Sequence, residues 1–130
     1  MKAVAPVAAA GTIALAAYLV LFDYRSDYAG HMLAGFGGTL AVLGAALALR
    51  GVAKPSLVVL ATLGAIGLGA LIEATIFKIA IFDPVDFAHQ SLGACLGAAG
   101  VIDRRGHGTG LAYVVVGIVA LGGGFHYAFA

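Results

Sequence analysis

Charge is the scarcest property of this chain. Lys, Arg, Asp and Glu make up only 10% of its 130 residues, whereas a soluble domain carries about 25%. With 62% hydrophobic residues and a mean hydropathy of +1.07, it has too little polar surface to face water on all sides. That excludes an ordinary soluble domain and leaves the bilayer as solvent. A formal net charge of +1 provides no basic field for nucleic acid, so no nucleic-acid partner is expected. The single cysteine, Cys95, excludes an internal disulfide and a cysteine-paired zinc site. Its apolar neighbours predict a buried, inert thiol. Phosphate-binding loop, nucleophile elbow and Cys/His catalytic pair are also missing. The glycine runs at Gly35-Phe36-Gly37-Gly38 and at Gly106-His107-Gly108-Thr109-Gly110 are too short and lack a strand–turn–helix setting. No cofactor is expected, and enzyme is the less favoured class.

What the chain does have is apolar length. A spanning helix needs about 20 mostly apolar residues, and five segments qualify: 4–22, 29–49, 56–78, 85–102 and 110–129. The expected architecture is an all-α integral membrane bundle of five transmembrane helices in a single domain, 1–130. The apolar stretch after Met1-Lys2 is read as a retained helix, although it mimics a signal peptide. Gly122-Gly123-Gly124 marks a point where the fifth helix is expected to bend or break, which would leave four. Five spans put Lys2, Arg50, Lys54, Arg104 and Arg105 on one side and Arg25 and Lys78 on the other. Lys and Arg favour the cytoplasmic side, so the N-terminus is expected there. Phe22, Tyr24, Tyr28, Phe77, Phe82, Phe87, Phe125, Tyr127 and Phe129 then form an aromatic belt at the outer boundary. Small residues at four-residue spacing (Gly30, Ala34 and Gly38; Gly93 and Gly97) let backbones approach closely. They predict a tight core of the second, third and fourth helices, or a self-association face.

The same topology gathers Asp23, Asp27, Glu73, Asp83 and Asp86 on the outer side, with His31, His89 and His126. Asp27 and His31 are four apart and stack on one helix face. Asp86 stands three before His89 and four before Gln90, so these three share a face. Glu73 lies in an otherwise apolar run, where a carboxylate is costly unless paired or protonated. Asp27, His31, Glu73, Asp86, His89 and Gln90 are therefore the candidate ligand-binding residues, as walls of one outer pocket. A competing reading needs no ligand: Asp83 as N-cap, Pro84 in the first turn and Asp86 in capping-box fashion open the fourth helix. Ser26 or Asp27 would cap the second in the same way. Two His and two carboxylates are chemically suited to a metal, but the spacing is no metal signature, so none is expected. The acids cluster on one side with no ionisable group in the inner half of a helix, which argues against a transmembrane proton relay.

These residues carry a resemblance. Asp27-Tyr28-Ala29-Gly30-His31, then Glu73, then Phe82-Asp83-Pro84-Val85-Asp86-Phe87-Ala88-His89-Gln90-Ser91-Leu92-Gly93 resemble, in order and spacing, the pattern of the VanZ-like family of small bacterial membrane proteins. The likeness covers about residues 23–102. Tyr28 stands where the family has lysine and Gln90 where it has asparagine. Ile76 replaces a glutamine, and Lys78 is the nearest substitute for an arginine. The resemblance implies a multi-pass protein of the bacterial inner (cytoplasmic) membrane, linked to cell-envelope chemistry, and names no reaction. The leading expectation is a periplasm-facing acid/His pocket that binds a polar headgroup or envelope precursor. The alternative is a non-catalytic accessory subunit of a larger membrane complex, with partner membrane subunits or a homo-oligomer covering its small-residue faces.

Overall fold

Apolar runs broken by turn residues set the helix ends. In the computed structural model, which describes residues 4–75 and 82–129, five helices follow one another: α1 (Ala5–Leu21), α2 (Ser26–Arg50), α3 (Pro55–Thr75), α4 (Pro84–Ala99) and α5 (His107–Phe129). The described residues contain no β-strand. Pro55 and Pro84 open their helices, where a missing N–H costs nothing. Gly51 closes α2 in the left-handed conformation, φ 74°, its N–H donating to the Leu47 carbonyl; this cap favours glycine because it lacks a Cβ.

The helices α2, α3 and α5 have 25, 21 and 23 residues and are long and apolar enough to cross a membrane. At 1.5 Å per residue even α3 reaches about 31 Å, the thickness of a hydrocarbon core. α1 and α4, with 17 and 16 residues, reach only about 25 Å. α4 stops short of the expected residue 102 because the chain turns: the Val101 N–H donates to Ala98 and the Arg104 N–H to Val101. The end of the third apolar segment, with Phe77 and Lys78, lies outside the described residues.

α2 is the centre of the bundle, with twelve of its 25 residues buried, and it packs most extensively on α5 and then α4. Glycines set the α2–α5 spacing. Gly30, Gly37 and Gly44 on α2 lie against Gly124, Gly117 and Gly110 on α5. Each series repeats every seven residues, so the two antiparallel backbones touch once per two turns. α4 runs parallel to α2 and is seated in the same manner: a methyl on Gly35 would overlap the Gln90 carbonyl, and one on Gly93 would overlap the Met32 carbonyl. The tight core is therefore α2, α4 and α5. The expected place of α3 in it is taken by α5, because α3 buries only Val58 and Thr62 and turns its leucines outward. α5 runs unbroken through Gly122-Gly123-Gly124; Gly124 is held against Gly30 and Ala34, and packing overrides the low helix propensity of glycine. Cys95 is exposed rather than buried, since it lies on the face of α4 away from α2.

The two loops at one end are joined by backbone. The Ala53 N–H donates to Arg104 (2.9 Å), Asp103 to Ala53 (3.2 Å) and Gly106 to Gly51 (2.9 Å), with an isolated bridge between Val52 and Arg105. Arg50, Lys54, Arg104 and Arg105 thus stand at one end of the bundle. Arg25, Asp27, Asp83 and Asp86 stand at the other, roughly 36 Å away by the length of α2.

Candidate functional site

At the acidic end, the starts of α2 and α4 meet the end of α1. Arg25 is the residue just before α2, and its short link to the helix aims the guanidinium back over the first turn. Its Nε donates to Asp27 Oδ1 at 3.0 Å and its Nη2 to Asp27 Oδ2 at 2.8 Å. The same group lies 4.1 Å from the centre of the Tyr28 ring, a cation–π distance. Hydrogen bonding to Asp27 pushes the Arg25 guanidinium pKa further above its ordinary value, so it is a permanent cation. The expected caps on α2 are not made: neither Ser26 nor Asp27 caps it, because the helix begins at Ser26 and Asp27 is turned to Arg25.

Asp83 does cap α4, its Oδ1 accepting from the backbone N–H groups of Val85 (2.8 Å) and Asp86 (3.4 Å). With the cap supplied, the Asp86 side chain is released for contacts across the bundle. Its Oδ2 is 3.4 Å from His31 Nε2 and its Oδ1 is 3.9 Å from Arg25 Nη2. The Asp86 side chain is 14% exposed, and Oδ1 is buried with no hydrogen-bond partner. Asp27, Arg25, Asp86 and His31 therefore form one linked polar chain across the α2–α4 contact.

His89, one turn on, faces α1 instead. Its Nδ1 is 2.8 Å from the Tyr18 hydroxyl, and its ring is enclosed by Tyr28, Tyr18 and Phe22 at centroid distances of 4.4, 5.2 and 5.5 Å. Gln90 turns to α3, donating from Nε2 to the Ala65 carbonyl at 3.4 Å and lying against Gly69. Glu73 follows Gly69 by four residues, on the same face of half-exposed α3. α3 runs antiparallel to α4, so Glu73 is level with the start of α4, but it makes no hydrogen bond or ion pair among the described residues.

Of the six residues singled out from sequence, the structure joins Asp27 to Asp86 through Arg25 and His31 to Asp86 directly, sets His89 beside them through Tyr28, turns Gln90 to α3 and leaves Glu73 on α3 apart from the network. Among the described residues no three His, Cys, Asp or Glu side chains are grouped to hold a metal ion. Sequence reasoning left Arg25, Tyr18 and Tyr28 out of the candidate site. The signal for Arg25 was present: it is the one basic residue among the acids of the first loop. Tyr18 gave a weaker one, a hydroxyl in a helix whose other residues, Thr12 apart, are apolar. Comparison with known proteins adds no family to this picture: no family model, no curated protein and no solved structure matches the chain.

Proposed function

We propose that this chain is a VanZ-like, multi-pass protein of the bacterial inner membrane, with its N-terminus in the cytoplasm and its acid network facing the periplasm. There it binds the polar headgroup of an envelope lipid or lipid-linked precursor. The observation that carries this reading is Asp86 Oδ1, a buried carboxylate oxygen without a donor, between a fixed cation and an imidazole. Leaving such an acceptor unmade costs about 1–3 kcal/mol, and a hydroxyl or amine on a headgroup would recover it. Arg25 and His31 then offer donors to the phosphate or carbonyl oxygens of the same headgroup. The clustering of Arg50, Lys54, Arg104 and Arg105 at the opposite end supports the orientation through the positive-inside bias.

The test is thermal unfolding of the purified chain in neutral detergent, titrated with phosphatidylethanolamine, which has N–H donors, and with phosphatidylcholine, which has none. Phosphatidylethanolamine should raise Tm in the wild type, and Asp86→Asn should remove that shift. Equal shifts from both lipids, or an unchanged shift in Asp86→Asn, would refute the site.

One observation favours a second reading, an accessory subunit of a membrane complex. α3 buries only Val58 and Thr62 and presents Leu60, Leu63, Leu68 and Leu71 outward, a face that a partner helix would fit. Native mass spectrometry after mild extraction separates the two readings, since a lone monomer or homodimer counts against a hetero-complex.

A further inference from the structure

The basic end carries a recess of its own, about 450 Å³, where α2 gives way to α3. It is lined by Arg50, Val52, Lys54, Ser56, Leu57 and Leu60. Its chemistry is divided. Arg50, Lys54 and the Ser56 hydroxyl lie toward the loop, and the leucines lead onto the outer face of α3, where Leu60 and Leu63 are 69% and 60% exposed. Among the described residues neither cation makes an ion pair. Asp103 stands at the same end through its backbone bond to Ala53, and it too makes no ion pair with them. Ser56 and Leu57 lie in the first turn of α3, whose backbone N–H groups have no acceptor within the helix.

We propose that this recess holds the phosphate of an anionic phospholipid, with one acyl chain laid along Leu57, Leu60 and Leu63. Two cations, a hydroxyl and first-turn N–H groups suit a phosphate oxygen set. A soluble anion would leave the leucine wall uncovered. A choline headgroup would bring a third positive charge beside Arg50 and Lys54, with no carboxylate among the residues that line the recess. Charge complementarity and the continuous apolar track therefore select an anionic lipid over either. The site is at the far end of α2 from Asp86, so its fate is independent of the headgroup site proposed there.

The experiment is native mass spectrometry and thermal unfolding of the full chain in neutral detergent, with phosphatidylglycerol, phosphatidylcholine of the same acyl chains, and inorganic phosphate as separate ligands. Phosphatidylglycerol should be retained and should raise Tm, while phosphatidylcholine and millimolar phosphate should do neither. At about fivefold per cation near an anionic lipid, the double substitution Arg50→Gln/Lys54→Gln should weaken phosphatidylglycerol by about 25-fold. Arg105→Gln, at the same end but outside the recess, should keep wild-type affinity. Equal retention of the two lipids, saturation by phosphate alone, or an Arg105→Gln loss as large as that of the double variant would overturn the proposal. The comparison of lipids on the wild-type chain decides the matter even if the double variant does not fold.

Discussion

Gly37 and Gly38 are neighbours on α2, yet replacing each by alanine should move stability in opposite directions. A Cβ on Gly37 would stand 2.5 Å from the Leu121 backbone nitrogen and 2.6 Å from the Gly117 carbonyl oxygen. Both are backbone atoms of α5, so no side chain can rotate away, and α5 must withdraw by about 1 Å to restore ordinary contact. A gap of that size forfeits a quarter to a half of the attraction between the atoms it separates, and overpacking of this kind costs about 1–3 kcal/mol. A Cβ on Gly38 meets nothing within 4 Å, so Gly38→Ala keeps only the gain in helix propensity, up to about 1 kcal/mol on a water-based scale. Gly37→Ala receives the same gain, so its net loss is about 0–2 kcal/mol. The two variants should therefore differ by about 2 kcal/mol. Unfolding followed by far-UV circular dichroism in detergent, driven by heat or by added dodecyl sulfate, measures the difference. Equal shifts for the two alanines, or a more stable Gly37→Ala, would refute the claim that backbone contact between α2 and α5 governs the bundle.

Two further substitutions probe the acidic end. Tyr18→Phe removes the hydroxyl 2.8 Å from His89 Nδ1 and should cost about 1 kcal/mol, with a shift of the His89 ring resonances in NMR. An unchanged His89 signal would place the hydrogen bond in doubt. Asp83→Ala removes the oxygen that accepts from Val85 and Asp86 and should cost about 1 kcal/mol, whereas Asp83→Asn should cost little. Equal losses in both would point to charge rather than capping, as read from thermal unfolding at matched salt.

Helix number and approximate ends were legible because hydropathy and turn residues act locally. Pro55, Pro84 and Gly51 mark boundaries through their own backbone limits. Which helices touch was harder to read, because in a bilayer the lipid-facing and core-facing sides are equally apolar. α3 therefore looked as fit for the core as α5, and Cys95 looked buried when it is exposed. The decisive signal was a period of seven in two helices at once, Gly30/Gly37/Gly44 and Gly110/Gly117/Gly124. Reading α2 at four-residue spacing instead picked out Gly38, which meets nothing. At the acidic end, the spacing of Asp27 and His31 and the cap at Asp83 were local and readable. The contact of Asp86 with Arg25 and His31 depends on α2 and α4 running side by side, and no single segment encodes that.

The pairing of α2 with α5 bears on how the protein is made. A ribosome delivers α2 long before α5, and the helix that fills its glycine surface emerges last of the five. Until then the α2 face that carries Gly30, Gly37 and Gly44 stays open to lipid or to another chain. Assembly ends with the arrival of α5 rather than proceeding helix by helix, so a pause in translation ahead of residue 107 would prolong the interval in which a membrane chaperone or a second nascent copy can occupy that surface.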